Sequence, residues 1–124
     1  MIEKILYNTV PVKDISKSIK WYTEVLGFQF VWHSEEEKLA QVNLPSGQML
    51  FLSEINDDTN ANFTKNGVIR SVVGFQAKNI EQFYDHLKAH GVRVEKIVHD
   101  EIGGFKFLDF FDPNGNMFNV ECDA

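Results

Sequence analysis

Two kinds of residue in this chain could carry chemistry, namely imidazoles and isolated carboxylates. His86 and His90 are four residues apart, so on a helix they would lie one turn from each other and could chelate zinc. They flank the apolar stripe of that helix, and an exposed helix face is therefore the favoured interpretation. Asp109 is an acid within an apolar strand, where burial would favour its protonated form and prepare it for proton transfer. The alternative is that Asp109 points outward into solvent.

The other metal-ligating side chains are scattered. His33 ends a predicted strand beside a run of glutamates, and His99 precedes Asp100, so both are interpreted as rim or loop residues. Cys122 is the only cysteine, so it can form no disulfide within the chain and supplies no thiolate cage. We interpret it as an ordinary strand residue, and we expect no metal site from this set.

Composition limits the class of protein. A chain of 124 residues with 44% apolar and 24% charged residues is typical of one compact domain. The net charge of −6 opposes binding to nucleic acid or an anionic membrane, because such binding depends on lysine and arginine meeting phosphates.

No membrane or secretion segment is predicted. The longest apolar stretches, around Phe107–Phe111, are far shorter than the roughly 20 residues of a bilayer span. The first six residues lack a basic segment followed by an apolar core and a cleavage site, so a cytoplasmic location is expected.

The first half of the chain predicts the order β-α-β-β-β. Residues 5–12 are β-rich, and Asp14 then stands where an N-cap would start a helix at Ile15. Helical spacing of apolar residues continues to Leu26, and Gly27 suits a left-handed cap. Three further strands are predicted at residues 28–33, 39–44 and 49–53, followed by a polar connector over residues 54–66.

The second half repeats this order. Residues 69–77 are strand-like, Ile80 to Leu87 form an amphipathic helix closed by Gly91, and a strand resumes at residues 92–94. Two more strands, at 105–111 and 116–121, flank the turn at residues 112–115. We infer an internal duplication of about 55 to 60 residues. The modules cover about residues 1–55 and 68–124, with a connector at about 56–67, within a single domain of residues 1–124.

Two motifs in this duplicated pattern resemble the motifs of a known family. Asp14-Ile15 followed by Ser18, Trp21-Tyr22 and Leu26-Gly27-Phe28 is similar to the opening of the vicinal oxygen chelate superfamily, which includes glyoxalases, bleomycin-resistance proteins and dioxygenases. Asp112-Pro113-Asn114-Gly115-Asn116 resembles its closing motif. The resemblance implies an α+β fold in which two βαβββ modules form a curved, barrel-like mixed sheet with the helices outside. For the motif residues themselves, helix capping and turn formation are sufficient explanations.

The resemblance also implies where a metal would be held. Counting from the two motifs places Tyr7, Phe51, about Val72 and Asn119 at the four positions where metal-dependent members carry histidine, glutamine or glutamate. Phenylalanine and valine have no donor atom for a divalent ion. Chemistry that relies on that metal is therefore in doubt, and neither a metal nor another cofactor is expected.

The pocket implied by the resemblance is aromatic with a few polar points. Glu121 alternates with Asn119 and should share its face, so Glu121 and Asp109 are the candidate general bases, although Glu121 is also consistent with an exposed terminal strand. The sequence holds eleven Phe, three Tyr and two Trp. The predicted ligand-binding residues are Tyr7, Thr9, Phe30, Trp32, Phe51, Ser53, Val72, Gln76, Phe105, Phe107 and Asn119.

We predict a metal-independent protein, similar to the bleomycin-resistance proteins, that binds a small apolar or aromatic molecule. Two alternatives remain. One is a glyoxalase-like enzyme with a non-standard metal or acid–base site, and the other is a protein-interaction module with a vestigial pocket. The resemblance also implies a homodimer, but it leaves open whether modules pair within a chain or across the dimer.

Overall fold

The computed structural model describes residues 1–123, which divide into two compact units. The first unit is Met1–Asn60 and the second begins at Ala61. The first unit contains β1 (Tyr7–Val12), α1 (Ile15–Glu24), β2 (Gln29–Ser34), β3 (Leu39–Asn43) and β4 (Met49–Glu54). The predicted order β-α-β-β-β is confirmed here.

The second unit has the same order behind an additional hairpin. Its elements are β5 (Phe63–Lys65), β6 (Val68–Arg70), β7 (Val73–Gln76), α2 (Ile80–Ala89), β8 (Val98–Asp100), β9 (Phe105–Phe111) and β10 (Met117–Asp123). Strands β5 and β6 pair only with each other, while β7 to β10 form the main sheet.

Each unit has one four-stranded mixed sheet of the same topology. The strand order is β1-β4-β3-β2 in the first unit and β7-β10-β9-β8 in the second. In each sheet the first pair is parallel and the other pairs are antiparallel. The predicted α+β class with two βαβββ modules is confirmed. Over residues 1–123 the strands form these two sheets, the two-stranded β5–β6 hairpin and no closed barrel.

Both helices begin and end as their flanking residues dictate. The Asp14 side chain accepts a hydrogen bond from the Lys17 amide and caps α1, and Asn79 does the same for Gln82 at the start of α2. Beyond the helices, Gly27 and Gly91 have φ values of 72° and 68°, so the left-handed cap predicted at Gly27 is confirmed, and Gly91, predicted to close α2, adopts the same conformation.

The core of each unit lies between its helix and one face of its sheet. In the first unit Tyr22 of α1 is fully buried, as are Val10, Val12 and Leu52 of the sheet. In the second unit the fully buried residues include Ile80 and Leu87 of α2 with Phe110 and Phe118 of the sheet. Because side chains alternate along a strand, the residues between these lie on the opposite face.

Three predicted segments differ from the structure. Residues 69–77 form two strands, β6 and β7, separated at Ser71 and Val72. The strand expected at 92–94 is reduced to one bridge between Val94 and Phe110, and β8 forms at 98–100, where β9 offers its free edge. The segment assigned to a polar connector contains β5, the first strand of the additional hairpin.

Among residues 1–123 both helices are ten residues long, and neither has the length and apolar character that a bilayer crossing requires.

Candidate functional site

The candidate site residues lie mainly on one face of each sheet. We call this the far face, the face that is turned away from the helix of the same unit. In the first unit it carries Tyr7, Thr9, Trp32, Gln41, Phe51 and Ser53. In the second it carries Gln76, Phe105, Phe107, Asp109, Asn119 and Glu121.

The far face of the first unit is an aromatic cluster. The ring centroids of Tyr7 and Phe51 are 4.5 Å apart, and those of Trp32 and Phe51 are 5.9 Å apart. Trp32 Nε1 donates to Gln41 Oε1 at 2.8 Å, and Gln41 Nε2 donates to Asn43 Oδ1 at 2.9 Å. The polar groups beside these rings therefore satisfy one another.

A β-bulge separates Phe30 from this cluster. Trp32 pairs with Gln41 of the far face, whereas Phe30 pairs with Val42, a buried residue of the helix-facing side, and the register shifts between them. A strict two-residue alternation would have placed Phe30 beside Trp32, but the extra residue Val31 breaks that alternation.

The far face of the second unit borders a cavity of about 310 Å³. It brings together three of the residues singled out from the sequence, Phe107, Asp109 and Asn119. The remaining lining residues were not predicted. They are Phe63, Lys65, Ile69, Arg70, Ser71 and Met117.

Asp109 and Asn119 face each other across β9 and β10. They are direct partners in the antiparallel register, and Asn119 Nδ2 donates to Asp109 Oδ1 at 3.1 Å. A longer contact of 3.5 Å joins Asn119 Nδ2 to the Leu108 carbonyl. These contacts orient the amide, while the Oδ1 atom of Asn119 has no hydrogen-bond donor among the described residues. The pair therefore offers a fixed acceptor to a ligand.

The β5–β6 hairpin supplies the other side of the cavity. Its turn is Asn66-Gly67, with φ values of 53° and 78°, which is the left-handed pair that a tight two-residue hairpin needs. Phe63 pairs with Arg70, and Lys65 is two residues from Phe63, so these three side chains share one face of the hairpin. The Asn-Gly dipeptide was the sequence signal that could have revealed this hairpin.

A buried polar network fixes the base of the hairpin. Asn116, fully buried, donates from Nδ2 to Asp112 Oδ2 and accepts at Oδ1 from the Ala61 amide, each at 2.8 Å. Asn62 accepts from the Met117 amide at 2.7 Å and donates to the Gly115 carbonyl at 2.8 Å. The turn at residues 112–116 thus holds the two residues that lead into β5.

Several predicted site residues lie outside the cavity. Val72 is 61% exposed and lies between β6 and β7. Gln76, Phe105 and Glu121 lie on the far face but do not line the cavity, and Glu121 is exposed as the alternative interpretation held. Thr9 and Ser53 lie on the far face of the first unit.

The histidines do not assemble a metal site. His86 and His90 are exposed on α2, as the favoured interpretation held, with ring centroids 4.3 Å apart. His33 lies one residue before the end of the edge strand β2, where it pairs with Ala40, and its Nε2 atom is buried without a partner among the described residues. Within residues 1–123 no three His, Cys, Asp or Glu side chains cluster in a way that could hold a metal ion.

The positions at which a family metal would be held also lack suitable chemistry. In the first unit the Tyr7 ring packs against the Phe51 ring, so both positions are used for aromatic contact. In the second unit Val72 is apolar and lies off the strand, and the Asn119 amide is directed to Asp109. These residues do not fit a divalent ion.

A larger cavity of about 630 Å³ lies in the first unit, but its walls are mostly polar loop residues. They are Lys13, Lys38, Glu54, Ile55, Asn56, Asp57 and Asp58. Hydrogen bonds from Thr59 lower the pKa of the exposed Asp57 carboxyl, so this acid is already engaged within its own loop. The smaller cavity is the better candidate because it combines apolar walls with a few convergent polar groups.

Comparison with known proteins gives one family and several relatives. A family model described as the Glyoxalase/Bleomycin resistance protein/Dioxygenase superfamily matches residues 4–120. The metallothiol transferase FosB of Staphylococcus saprophyticus is 28% identical over 120 residues, which cover 97% of this chain and 77% of that protein.

Two solved structures share the fold. The fosfomycin resistance protein FosX of Listeria monocytogenes, solved with Mn(II) and sulfate, has a TM-score of 0.77 at 17% identity, covering 100% of this chain and 93% of that chain. TnmS3, an antibiotic binding protein from a Streptomyces species, has a TM-score of 0.78 at 18% identity, covering 99% and 98%.

Proposed function

This chain belongs to the glyoxalase/bleomycin resistance protein/dioxygenase superfamily, and we propose that it binds a small apolar or aromatic molecule without using a metal ion. The cavity of the second unit is the binding site in this proposal. A homodimer and a cytoplasmic location also remain predictions.

The observation that carries the proposal is the combination of walls in that cavity. Phe63, Phe107 and Met117 supply apolar surface, and the Asn119–Asp109 pair supplies an oriented polar point. A volume of about 310 Å³ is at the lower end of the range of roughly 300 to 1,000 Å³ for small-molecule pockets. The ligand in this proposal is therefore of one or two rings.

Metal independence is supported by the donor set. FosX was solved with Mn(II), and FosB is named a metallothiol transferase. In this chain the corresponding positions are Tyr7, Phe51, Val72 and Asn119, of which two carry no donor atom. TnmS3, an antibiotic binding protein with the same fold, supports simple binding as a function for this architecture.

The test is binding of 2-naphthamide, a neutral two-ring probe, measured by isothermal titration calorimetry. We expect Asn119→Ala to weaken binding by about tenfold, because the cavity loses its oriented amide. Thr23→Ala, on α1, where the hydroxyl donates to the Ile19 carbonyl, is the control and should leave the dissociation constant unchanged. Adding a chelator or Mn(II) should also leave it unchanged.

Two results would contradict this proposal. One is equal binding by Asn119→Ala and the unaltered protein, which would place the probe elsewhere. The other is binding that disappears with chelator and returns with Mn(II).

A second candidate function is acid–base catalysis by Asp109, because its carboxylate lines the cavity. Its Oδ1 atom accepts from Asn119, which leaves the second oxygen to take a proton from a bound substrate. Asp109→Asn keeps the shape of this side chain and removes the base. Turnover of a bound compound that survives in this variant would exclude Asp109 as the base.

A further inference from the structure

The charges of the cavity point to a more specific ligand for the binding function proposed above, on which this inference rests. We infer that the ligand is an apolar or aromatic carboxylate, and that Lys65 and Arg70 of the β5–β6 hairpin recognise its charge.

Two cations converge on one side of this cavity. Lys65 and Arg70 lie on opposite strands of the hairpin, but the register puts both on the face that carries Phe63, and all three residues line the cavity. An aromatic ring and two cationic groups on one small surface suit a molecule that has both a ring and an anionic group.

Neither cation is neutralised by the chain itself. The ion pair between Lys106 and Glu81 lies on another part of the second unit, and no ion pair within residues 1–123 includes Lys65 or Arg70. No side-chain hydrogen bond of the described residues involves the Lys65 ammonium or the Arg70 guanidinium. Both groups are therefore free to bind an anion.

The acid in the cavity does not cancel them. Asp109 is the only carboxylate among the lining residues, and it already accepts a hydrogen bond from Asn119. The lining therefore has a net positive charge, in a chain whose net charge is −6. A cationic ligand would have to enter against Lys65 and Arg70, whereas a carboxylate can form charge-assisted hydrogen bonds with both.

This arrangement also gives the ligand a direction. The carboxylate lies at the hairpin, and the apolar part packs against Phe107 and Met117 of the sheet. Arginine can bind a carboxylate through two parallel hydrogen bonds, so Arg70 contributes more to recognition than the point charge of Lys65.

The experiment compares 2-naphthoate with 2-naphthamide, which have the same rings and differ in charge. We expect the unaltered protein to bind naphthoate about tenfold more tightly than naphthamide at low salt, because only the acid meets the two cations. Raising the salt concentration should weaken naphthoate binding and leave naphthamide binding nearly unchanged.

Variants then show which residues cause the preference for naphthoate. Arg70→Gln and Lys65→Gln should each weaken naphthoate binding by about three- to tenfold, with little effect on naphthamide. Lys96→Gln removes the same formal charge from an exposed position that does not line the cavity, and it should leave both affinities unchanged.

The outcomes distinguish this inference from the proposed function. Equal affinity for naphthoate and naphthamide would overturn the carboxylate inference and leave the proposed binding function standing. The carboxylate inference is likewise overturned if Lys96→Gln weakens naphthoate binding as much as Arg70→Gln does. Failure of both probes to bind would overturn the proposed function and this inference with it.

Discussion

The two units share a topology but differ in how their far faces are used. In the first unit the polar side chains satisfy one another, in the order Trp32, Gln41 and Asn43, beside packed rings. In the second unit Asn119 and Asp109 form a pair that borders a cavity. The helix-facing sides, by contrast, are alike and fully apolar at their centres. A duplicated module can therefore keep its core while its far face changes chemistry, since that face contributes little to the core.

The corresponding turns differ in the same way. The β3–β4 turn is closed by local bonds between Leu44 and its neighbours Gln48 and Gly47, and its hydrogen bond to a distant residue, from the Gln48 side chain to the Leu6 carbonyl, is exposed. The β9–β10 turn uses Asp112 and Asn116 to hold the chain at Ala61, more than fifty residues earlier in sequence. The second turn is thus a tertiary anchor as well as a reversal of the chain.

The largest effect should come from breaking that anchor. Asn116→Ala removes two hydrogen bonds, the buried one that its amide donates to Asp112 and the partly buried one that it accepts from the Ala61 amide. We expect the free energy of unfolding to fall by about 2–4 kcal/mol. Urea denaturation followed by circular dichroism measures this.

Ser46→Ala, in the exposed turn of the first unit, is the control for that experiment. Within residues 1–123 its side chain accepts one long hydrogen bond, of 3.4 Å from the Gln48 amide, so we expect a change below about 0.5 kcal/mol. If both variants lose the same free energy of unfolding, the two turns contribute equally to stability. That result would contradict the difference drawn here between the turns of the two units.

An intermediate loss of stability is expected from one glycine substitution in each unit, and the loss should be similar in the two units. Gly27→Val and Gly91→Val place a β-branched residue at positive φ, although an added Cβ would meet no atom within 4 Å at either position. The cost is therefore one of backbone conformation, about 1–2 kcal/mol in each unit. Equilibrium denaturation should give similar losses for both.

Asparagine tests the cause of that loss. Gly27→Asn and Gly91→Asn should lose clearly less stability, since asparagine tolerates the left-handed conformation better than valine does. If asparagine costs as much as valine, the positive φ is not what makes glycine necessary.

Local patterns in the sequence were enough to predict much of the fold. The Asp14 cap, the apolar spacing of both helices and the two glycines each depend on residues within one or two turns of chain. The predictions that were wrong concern segments whose structure depends on residues distant in sequence. Residues 92–94 have strand-like alternation, but they contact β9 only through the bridge of Val94 with Phe110 and the backbone hydrogen bonds of Arg93 and Glu95 beside it, and the paired strand forms at Val98–Asp100.

The site was less accessible to such reasoning. Counting from the Asp112 turn placed Asn119 on the far face, and the register gives it Asp109 as a partner across the sheet. The other side of the cavity comes from the β5–β6 hairpin, which is held in place by Asn62 and Asn116, two residues far apart in sequence. No periodicity within either segment encodes that contact. The Val31 bulge is another case, since only the pairing of β2 with β3 shows that Phe30 leaves the pattern of Trp32.

The smallest effect should come from an ion pair of the second unit. Lys106 of β9 donates a hydrogen bond to Glu81 of α2, which lowers the pKa of the Glu81 carboxyl below its ordinary value of 4.5 and raises the pKa of the Lys106 ammonium above 10.5. A carboxyl whose pKa is lowered by folding stabilises the protein above its unfolded value, and this stabilisation is lost as pH falls through the folded pKa. The raised pKa of Lys106 acts in the opposite sense, and its contribution is lost only as pH rises above about 10.5.

Glu81→Gln should therefore lower the melting temperature between about pH 5 and pH 10 and have no effect near pH 3. Glu81 is exposed and Lys106 is partly exposed, so solvent screens the pair and the decrease should be smaller than that caused by either glycine-to-valine substitution. Glu24→Gln is the matched control in α1, because no ion pair of residues 1–123 involves Glu24. A melting curve for Glu81→Gln that differs from the unaltered protein equally at pH 3 and pH 7 would show that the carboxylate charge is not the cause.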